Sequence, residues 1–196
     1  MTGPVLSFSP PSPPLDRREV LRYARAGEGD AATEALLDRV WAAAAPLLEY
    51  RAVYRVMNVD RRAEVVTVGA LSVVSRDLAA LLAPCRRAVL CAATVGARLD
   101  RFLLRLSRLH PAEALMADAI GNERVEALMD ALARELSVQG MALTRRFSPG
   151  YGDLPLSLQR DIFPLLDCER RLGLALGEQL LMSPRKSVTA LIGILD

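Results

Sequence analysis

The apolar and polar positions fall into distinct periods along the chain. Residues 1–14 show no period: MTGPVLSFSPPSPP carries five prolines and reads as an extended, flexible and weakly ordered arm ahead of a folded domain spanning residues 15–196. Asp16 then stands where a helix cap belongs, before DRREVLRYAR, a helix expected to stop near Gly27 and Gly29. Asp30 takes the place of the next cap. Behind it Leu36, Leu37, Val40, Trp41, Ala44, Leu47 and Leu48 recur at helical spacing as one buried stripe.

After Tyr50 the period shortens. RAVYRVMNV and EVVTVGAL are rich in β-branched residues and flank DRRA, which predicts a hairpin. Ser75 can cap a short helix, RDLAALL, ending before Pro84, and AVLCAATV has the length and continuous apolarity of a central strand. Past Gly96 a helix is expected to bury Leu99, Phe102, Leu103, Leu106 and Leu109. A longer helix follows Pro111 to about Gln139, with Val125, Leu128, Met129, Leu132 and Leu136 as its apolar stripe. Near the C-terminus GEQLLM and SVTALIGIL around SPRK predict a second hairpin. The class is α+β, in one domain.

Composition narrows the functions. The 196 residues are 52% hydrophobic but only 5% aromatic, so burial rests on Leu, Val and Ala, which suits closely packed helices. A net charge of +2 gives no broad electrostatic reason to expect nucleic acid. Lys186 is the only lysine, and the excess of arginine reads as a coding bias. Cys85, Cys91 and Cys168 form no C-x-x-C pair and are odd in number, so a reducing, cytoplasmic setting is expected, with Cys91 a buried small hydrophobe. No signal-peptide plan and no uninterrupted apolar stretch of about 18 residues is present, so the chain is expected to be soluble and to need no membrane.

Several chemistries are missing from the sequence. The single histidine, His110, precedes Pro111 at a helix start and has the place of a structural residue. The dispersed cysteines give no zinc spacing, and the glycine-rich phosphate loops and the G-x-S-x-G elbow are absent. No Asp-x-His-x-x-Gly segment of the kind that ligates cobalt in cobalamin carriers is present. No residue is assigned as a catalytic group or a metal ligand.

The segment RRFSPGYGDLPLSLQRDIFPLLD, residues 145–167, departs from ordinary core-building sequence. Pro149-Gly150 favours a tight turn with a positive φ at Gly150. Such a turn can present Arg146 and Tyr151 to one side, with exposed backbone N–H groups between them. That arrangement suits a small zwitterion, its carboxylate gripped by a guanidinium and its sulfonium or heterocycle laid against an aromatic face. The alternative is a surface turn with an incidental arginine and tyrosine.

Arg146-Phe-Ser-Pro-Gly150-Tyr151 resembles the Arg-x-x-x-Gly-Tyr signature of the S-adenosylmethionine-binding reactivation (activation) domain of cobalamin-dependent methionine synthase. DIFPLLDCERRLGLALGEQLLMSPRKSVTALIGI is similar to the stretch that follows it in that family, and CAATVGARLDRFL and AIGNERVEALMDALARE resemble its shorter, stand-alone branch. The similarity spans roughly residues 15–196. The resemblance implies a C-shaped α+β domain with a twisted antiparallel sheet, flanking helices and a shallow ligand groove. It implies a role in reductive methylation, in which S-adenosylmethionine donates a methyl group to cobalamin reduced from the inactive cob(II) form. The cobalamin would be held by a separate methionine synthase protein, with an electron donor such as a flavodoxin or ferredoxin. It further implies that Arg146 binds the ligand carboxylate, that Pro149, Gly150 and Tyr151 line the site, and that Glu126 lies near the ligand's ammonium end. By helical angle Glu126 borders the apolar stripe, a place open equally to a groove residue and to a solvated flank.

The sequence also departs from the family's larger form. Ile192 stands where that form has a last-strand tyrosine, its C-terminal extension has no counterpart before Asp196, and its N-terminal aspartate contact has no evident match, Asp16 being a poor substitute. These departures keep a second reading open, a non-catalytic docking or stabilising partner of a corrinoid protein. A general methyltransferase is the weaker third, because the usual nucleotide-binding glycine loop is missing.

Overall fold

Backbone pairing begins inside the proline-rich leader. In the computed structural model, which describes residues 3–27 and 30–195, strand β1 (Leu6–Phe8) pairs antiparallel with residues 52–54. The weakly ordered arm expected there is instead the edge of a sheet, because Leu6, Ser7 and Phe8 find a free edge to satisfy their backbone groups. Asp16 then caps α1 (Arg17–Ala24) by accepting the Glu19 N–H at 3.1 Å. The helix closes on Arg25 in the left-handed region, ahead of Gly27, while Gly29 lies outside the described residues. Asp30 caps α2 (Ala31–Ala44), whose Leu37, Val40 and Ala44 are buried.

The expected hairpin is present and gains a strand. β2 (Arg51–Arg62) turns into β3 (Val65–Val68), and Gly69 at positive φ lets the chain turn again into β4 (Leu71–Val74). Ser75 caps α3 (Arg76–Leu81) by accepting the Leu78 N–H. β5 (Cys85–Thr94) follows, then α4 (Ala97–Leu109), α5 (Pro111–Val138) and β6 (Ala142–Phe147). Two short helices, α6 (Gln159–Leu166) and α7 (Cys168–Leu172), precede β7 (Ala175–Leu176), β8 (Met182–Ser183) and β9 (Ser187–Leu195).

The main sheet is twisted and antiparallel, in the order β4-β3-β2-β5-β9-β6, with β1 sharing the β2 edge with β3. The second hairpin expected around SPRK does not form. β8 pairs back with β7, and β9 runs between β5 and β6. Its apolar residues are buried best by partners distant in sequence, not by GEQLLM.

β5 explains its own continuous apolarity. Val89, Cys91 and Ala93 pack in one core with α1, α2, α4 and α5, while Ala88, Leu90 and Ala92 pack in a second with α3, α6 and α7. Helices cover both faces, so neither alternate set can be polar. On α4, Leu99, Phe102, Leu103 and Leu106 are buried as expected, but Leu109 is 70% exposed because the helix ends there, clear of its neighbours. His110 is the exposed junction between α4 and α5.

Candidate functional site

Alternation along β6 decides where its arginine goes. Phe147 pairs with Leu191 and joins the core beneath α3 and α6. Arg146 pairs with Ile192, which belongs to the core beneath α5, so the guanidinium is carried to the α5 side of the sheet. There Glu126 and Asp130 stand one helical turn apart. Arg146 Nη2 donates to Glu126 Oε2 at 2.8 Å and Nη1 to Asp130 Oδ1 at 2.5 Å. Burial draws the Arg146 pKa down, but Asp130 and Glu126 more than offset it, and the net shift is upward.

The leader forms the facing wall, and Arg124 holds it. This side chain is wholly excluded from solvent. Its Nη1 donates to the Pro13 carbonyl at 2.6 Å and its Nη2 to the Pro14 carbonyl at 2.8 Å. Nε and Nη2 also meet the Glu123 carboxylate, whose Oε1 accepts the Asp16 N–H at 3.2 Å. The Trp41 ring lies 5.5 Å from the guanidinium. A buried charge is tolerated only when paired and hydrogen-bonded, and here the main-chain carbonyls of the leader complete the shell.

A groove of about 1140 Å³ runs between these walls. Residues 13–16, the first turn of α1, Tyr23 and one side of α5 line it, together with Arg146. It mixes five carboxylates, Asp16, Glu19, Glu123, Glu126 and Asp130, with the guanidinium groups of Arg17, Arg18, Arg134 and Arg146. A hollow of this size and mixed sign suits a small zwitterion.

The five site residues expected from the sequence divide into two groups. Arg146 and Glu126 meet on the groove, with the Glu126 side chain 44% exposed. Pro149, Gly150 and Tyr151 are not among the residues lining it, and the Tyr151 ring is 67% exposed. The turn that carries them is fastened to α3, on the other face of the sheet. Asp153 accepts from the Ser75 hydroxyl at 2.5 Å and the Arg76 N–H at 2.7 Å, and its own N–H reaches Asp77 at 3.3 Å. Gly150 does take a positive φ of 93°. The N–H groups expected to be open are used internally: Gly150 N–H donates to the Leu154 carbonyl at 2.9 Å and Tyr151 N–H to the Ser148 carbonyl at 3.1 Å.

Asp16, read from the sequence as a poor substitute, lines the groove opposite α5. Ile192 does not reach it, being 1% exposed within the core behind Arg146. Among the described residues, no group of three or more His, Cys, Asp or Glu side chains is placed to hold a metal.

No family model and no curated protein matches the sequence. Solved structures do match: the crystal structure of the MetH reactivation domain bound to AdoHcy superposes with a TM-score of 0.70 and 15% identity, covering 98% of this chain and 78% of that one. The chain shares the fold of the MetH reactivation domain. At that identity the architecture is common to both while most side chains differ, so what this groove does rests on its own residues.

Glu123, Asp130 and Arg134 line the groove, and Arg124 lies behind it holding the leader, without being marked by the signature. The spacing Glu126, Asp130, Arg134 is a signal, since positions four apart on a helix share a face. The Arg124 contacts to the leader have no local signature, because their partners lie more than 100 residues away.

Proposed function

We propose that the groove between the leader and α5 binds S-adenosylmethionine, and that the chain supports reductive methylation of cob(II)alamin carried by a separate cobalamin-dependent methionine synthase. The observation that carries this reading is the meeting of Arg146 with Glu126 and Asp130 on a groove whose far wall bears Asp16. The likeness in fold to a MetH domain bound to AdoHcy supports it.

The residues fit the ligand. S-adenosylmethionine carries two positive groups, a sulfonium and an ammonium, and one carboxylate. Glu126 and Asp130 offer negative charge for the first two, and Asp16 supplies a further acceptor on the opposite wall. When bound, the ligand supplies an activated methyl group, and the chain's part is to bind and orient it. No proton has to be moved in such a transfer, which accords with a groove lined by carboxylates and guanidinium groups and with His110 placed at a surface junction. The corrinoid protein and a one-electron donor such as a flavodoxin or ferredoxin are the partners this role needs.

Titration calorimetry with S-adenosylmethionine tests the reading. The native chain should bind with heat release, and Glu126→Gln should weaken binding by about tenfold, the worth of one charge-assisted contact. Absence of binding by the native chain at millimolar ligand would overturn it in favour of a docking protein that keeps the fold without using the ligand.

A further inference from the structure

We infer that the outer face of α4 is a docking surface for an acidic protein segment. The carboxylates of that segment meet Arg101, Arg105 and Arg108, and one of its apolar side chains seats in the hollow that these arginines form with Leu104 and Leu109. None of the five residues lines the groove on α5, so the inference holds whatever that groove takes.

α4 is apolar on more than its inner side. Leu99, Phe102, Leu103 and Leu106 fill the core, while Leu104 and Leu109 stand 60% and 70% exposed. A single exposed leucine needs no explanation, but these two border a hollow of about 390 Å³.

Positive charge gathers on the same face. With four arginines against Asp100, α4 carries a net charge of +3 in a chain whose total is +2. Asp100 does not offset it there, because its Oδ2 accepts the Arg185 N–H at 2.7 Å. Arg101 and Arg105 are four residues apart and Arg105 and Arg108 three, so like charges share one face and repel. Among the described residues none of the three is ion-paired, although Arg17, Arg39, Arg76 and Arg170 elsewhere on the surface each meet a carboxylate. An arrangement that destabilises the free helix is relieved when a partner brings the missing carboxylates.

Shape and charge together select the occupant. A second copy of the chain would set guanidinium against guanidinium. A bilayer is flat where this face is hollow, and nucleic acid has no apolar side chain to fill it. An acidic segment with an apolar anchor answers both features, and arginine is the cation that protein interfaces favour.

The probe is a fluorescein-labelled peptide of about 20 residues, with leucines at helical spacing among glutamates, read by anisotropy against the full chain. The native chain should bind it with micromolar affinity, and raising NaCl from about 50 to about 500 mM should weaken binding about tenfold. Arg101→Glu and Arg108→Glu should each weaken it about tenfold and Leu104→Ser about fivefold. Arg160→Glu, the same change on α6 across the sheet, should alter it by less than about twofold. Arg101→Glu also removes a like-charge pair with Arg105, so its melting temperature should be no lower than that of the native chain. A native chain that ignores the peptide at millimolar concentration, or an equal loss in Arg160→Glu, would overturn the assignment. Undiminished binding by Leu104→Ser would leave only a field of charge without a seat, and a fall in the Arg101→Glu melt would give the arginine to the fold; either result also sinks it. Tighter binding of phosphatidylserine vesicles or duplex DNA, lost in Arg101→Glu, would remove the protein partner in favour of that anion.

Discussion

Arg146 and Glu126 meet at 2.8 Å across the seam between β6 and α5, and the same guanidinium reaches Asp130 at 2.5 Å. The arginine side chain is 27% exposed and its two acids are more so, at 44% and 54%. Water therefore screens the pairs, and their joint worth to the fold is modest. Arg146→Ala should cost about 1 kcal/mol, a fall in Tm of roughly 2–4 °C for a chain of this length. Ligand binding should suffer more, because Glu126 and Asp130 lose the cation that fixes their positions. A melt and a calorimetric titration on the same preparation check both halves; a large fall in Tm without a change in affinity would contradict them.

Arg124 presents the opposite case. Its guanidinium is fully buried against Glu123, which is itself 4% exposed, and against two carbonyls of the leader. Arg124→Met leaves the Glu123 carboxylate buried without its cation, a change that costs about 3–5 kcal/mol. Urea denaturation should register that loss, and limited proteolysis should cut the leader near Pro13 and Pro14 before the rest of the chain. Changing Glu123→Leu together with Arg124→Met should recover part of the stability but leave the leader cleavable. A leader as resistant as in the native chain would show that Arg124 does not hold it.

The sequence made most helices and the central strand legible because each carries its own period or cap. Asp16, Asp30 and Ser75 all cap where the pattern placed them. What escaped was settled by partners far along the chain. SVTALIGIL was readable as a strand, but its neighbours begin at Cys85 and Ala142, and nothing in GEQLLM announces that it will turn back on Ala175 and Leu176 instead. The leader read as unstructured because prolines make no helix, while the guanidinium that gathers its carbonyls sits on α5.

The site divides the same way. The resemblance marks both Arg146 and Glu126, which the fold brings together on the groove, while the helical angle of Glu126 alone leaves a groove and a solvated flank equally open. The signature and the Pro149-Gly150 turn put Tyr151 beside them, yet the turn after β6 is drawn to α3 by Asp153, more than 70 residues from its partners. The direction of the chain there is decided by a carboxylate distant from α3 in sequence, which no local pattern announces.

Asp153 also makes a pH dependence that can be signed. The Ser75 hydroxyl, and after it the amides of Arg76 and Asp77, hold its carboxyl below the ordinary value. A carboxyl lowered in the folded state contributes its full stabilisation above the unfolded value, about 3.9, and loses it as pH falls through the lower folded value. The difference in Tm between the native chain and Asp153→Asn should therefore be level from about pH 8 to 5 and shrink below about pH 4. A difference that stayed constant to pH 2 would mean that the Ser75 contact does not favour the charged form.

The three cysteines should behave as hydrophobes until the chain unfolds. Cys91 lies inside the sheet, and burial pushes its thiol up to about 12, with the Arg146 charge opposing weakly; Cys168 is pushed to about 12 by burial and then by Asp167. The thiolate is the species that alkylates, and at pH 8 its fraction at either site is about one in ten thousand. Native protein should resist iodoacetamide at those two positions for hours, and urea should expose both within minutes. The same shift favours the folded state below the unfolded thiol value of about 8.5 and withdraws that support as pH rises toward 12. Melting temperatures should accordingly fall between pH 9 and 11, less steeply in Cys91→Ala. Rapid labelling of Cys91 in the native chain at pH 8 would show that β5 opens far more readily than a strand packed on both faces should.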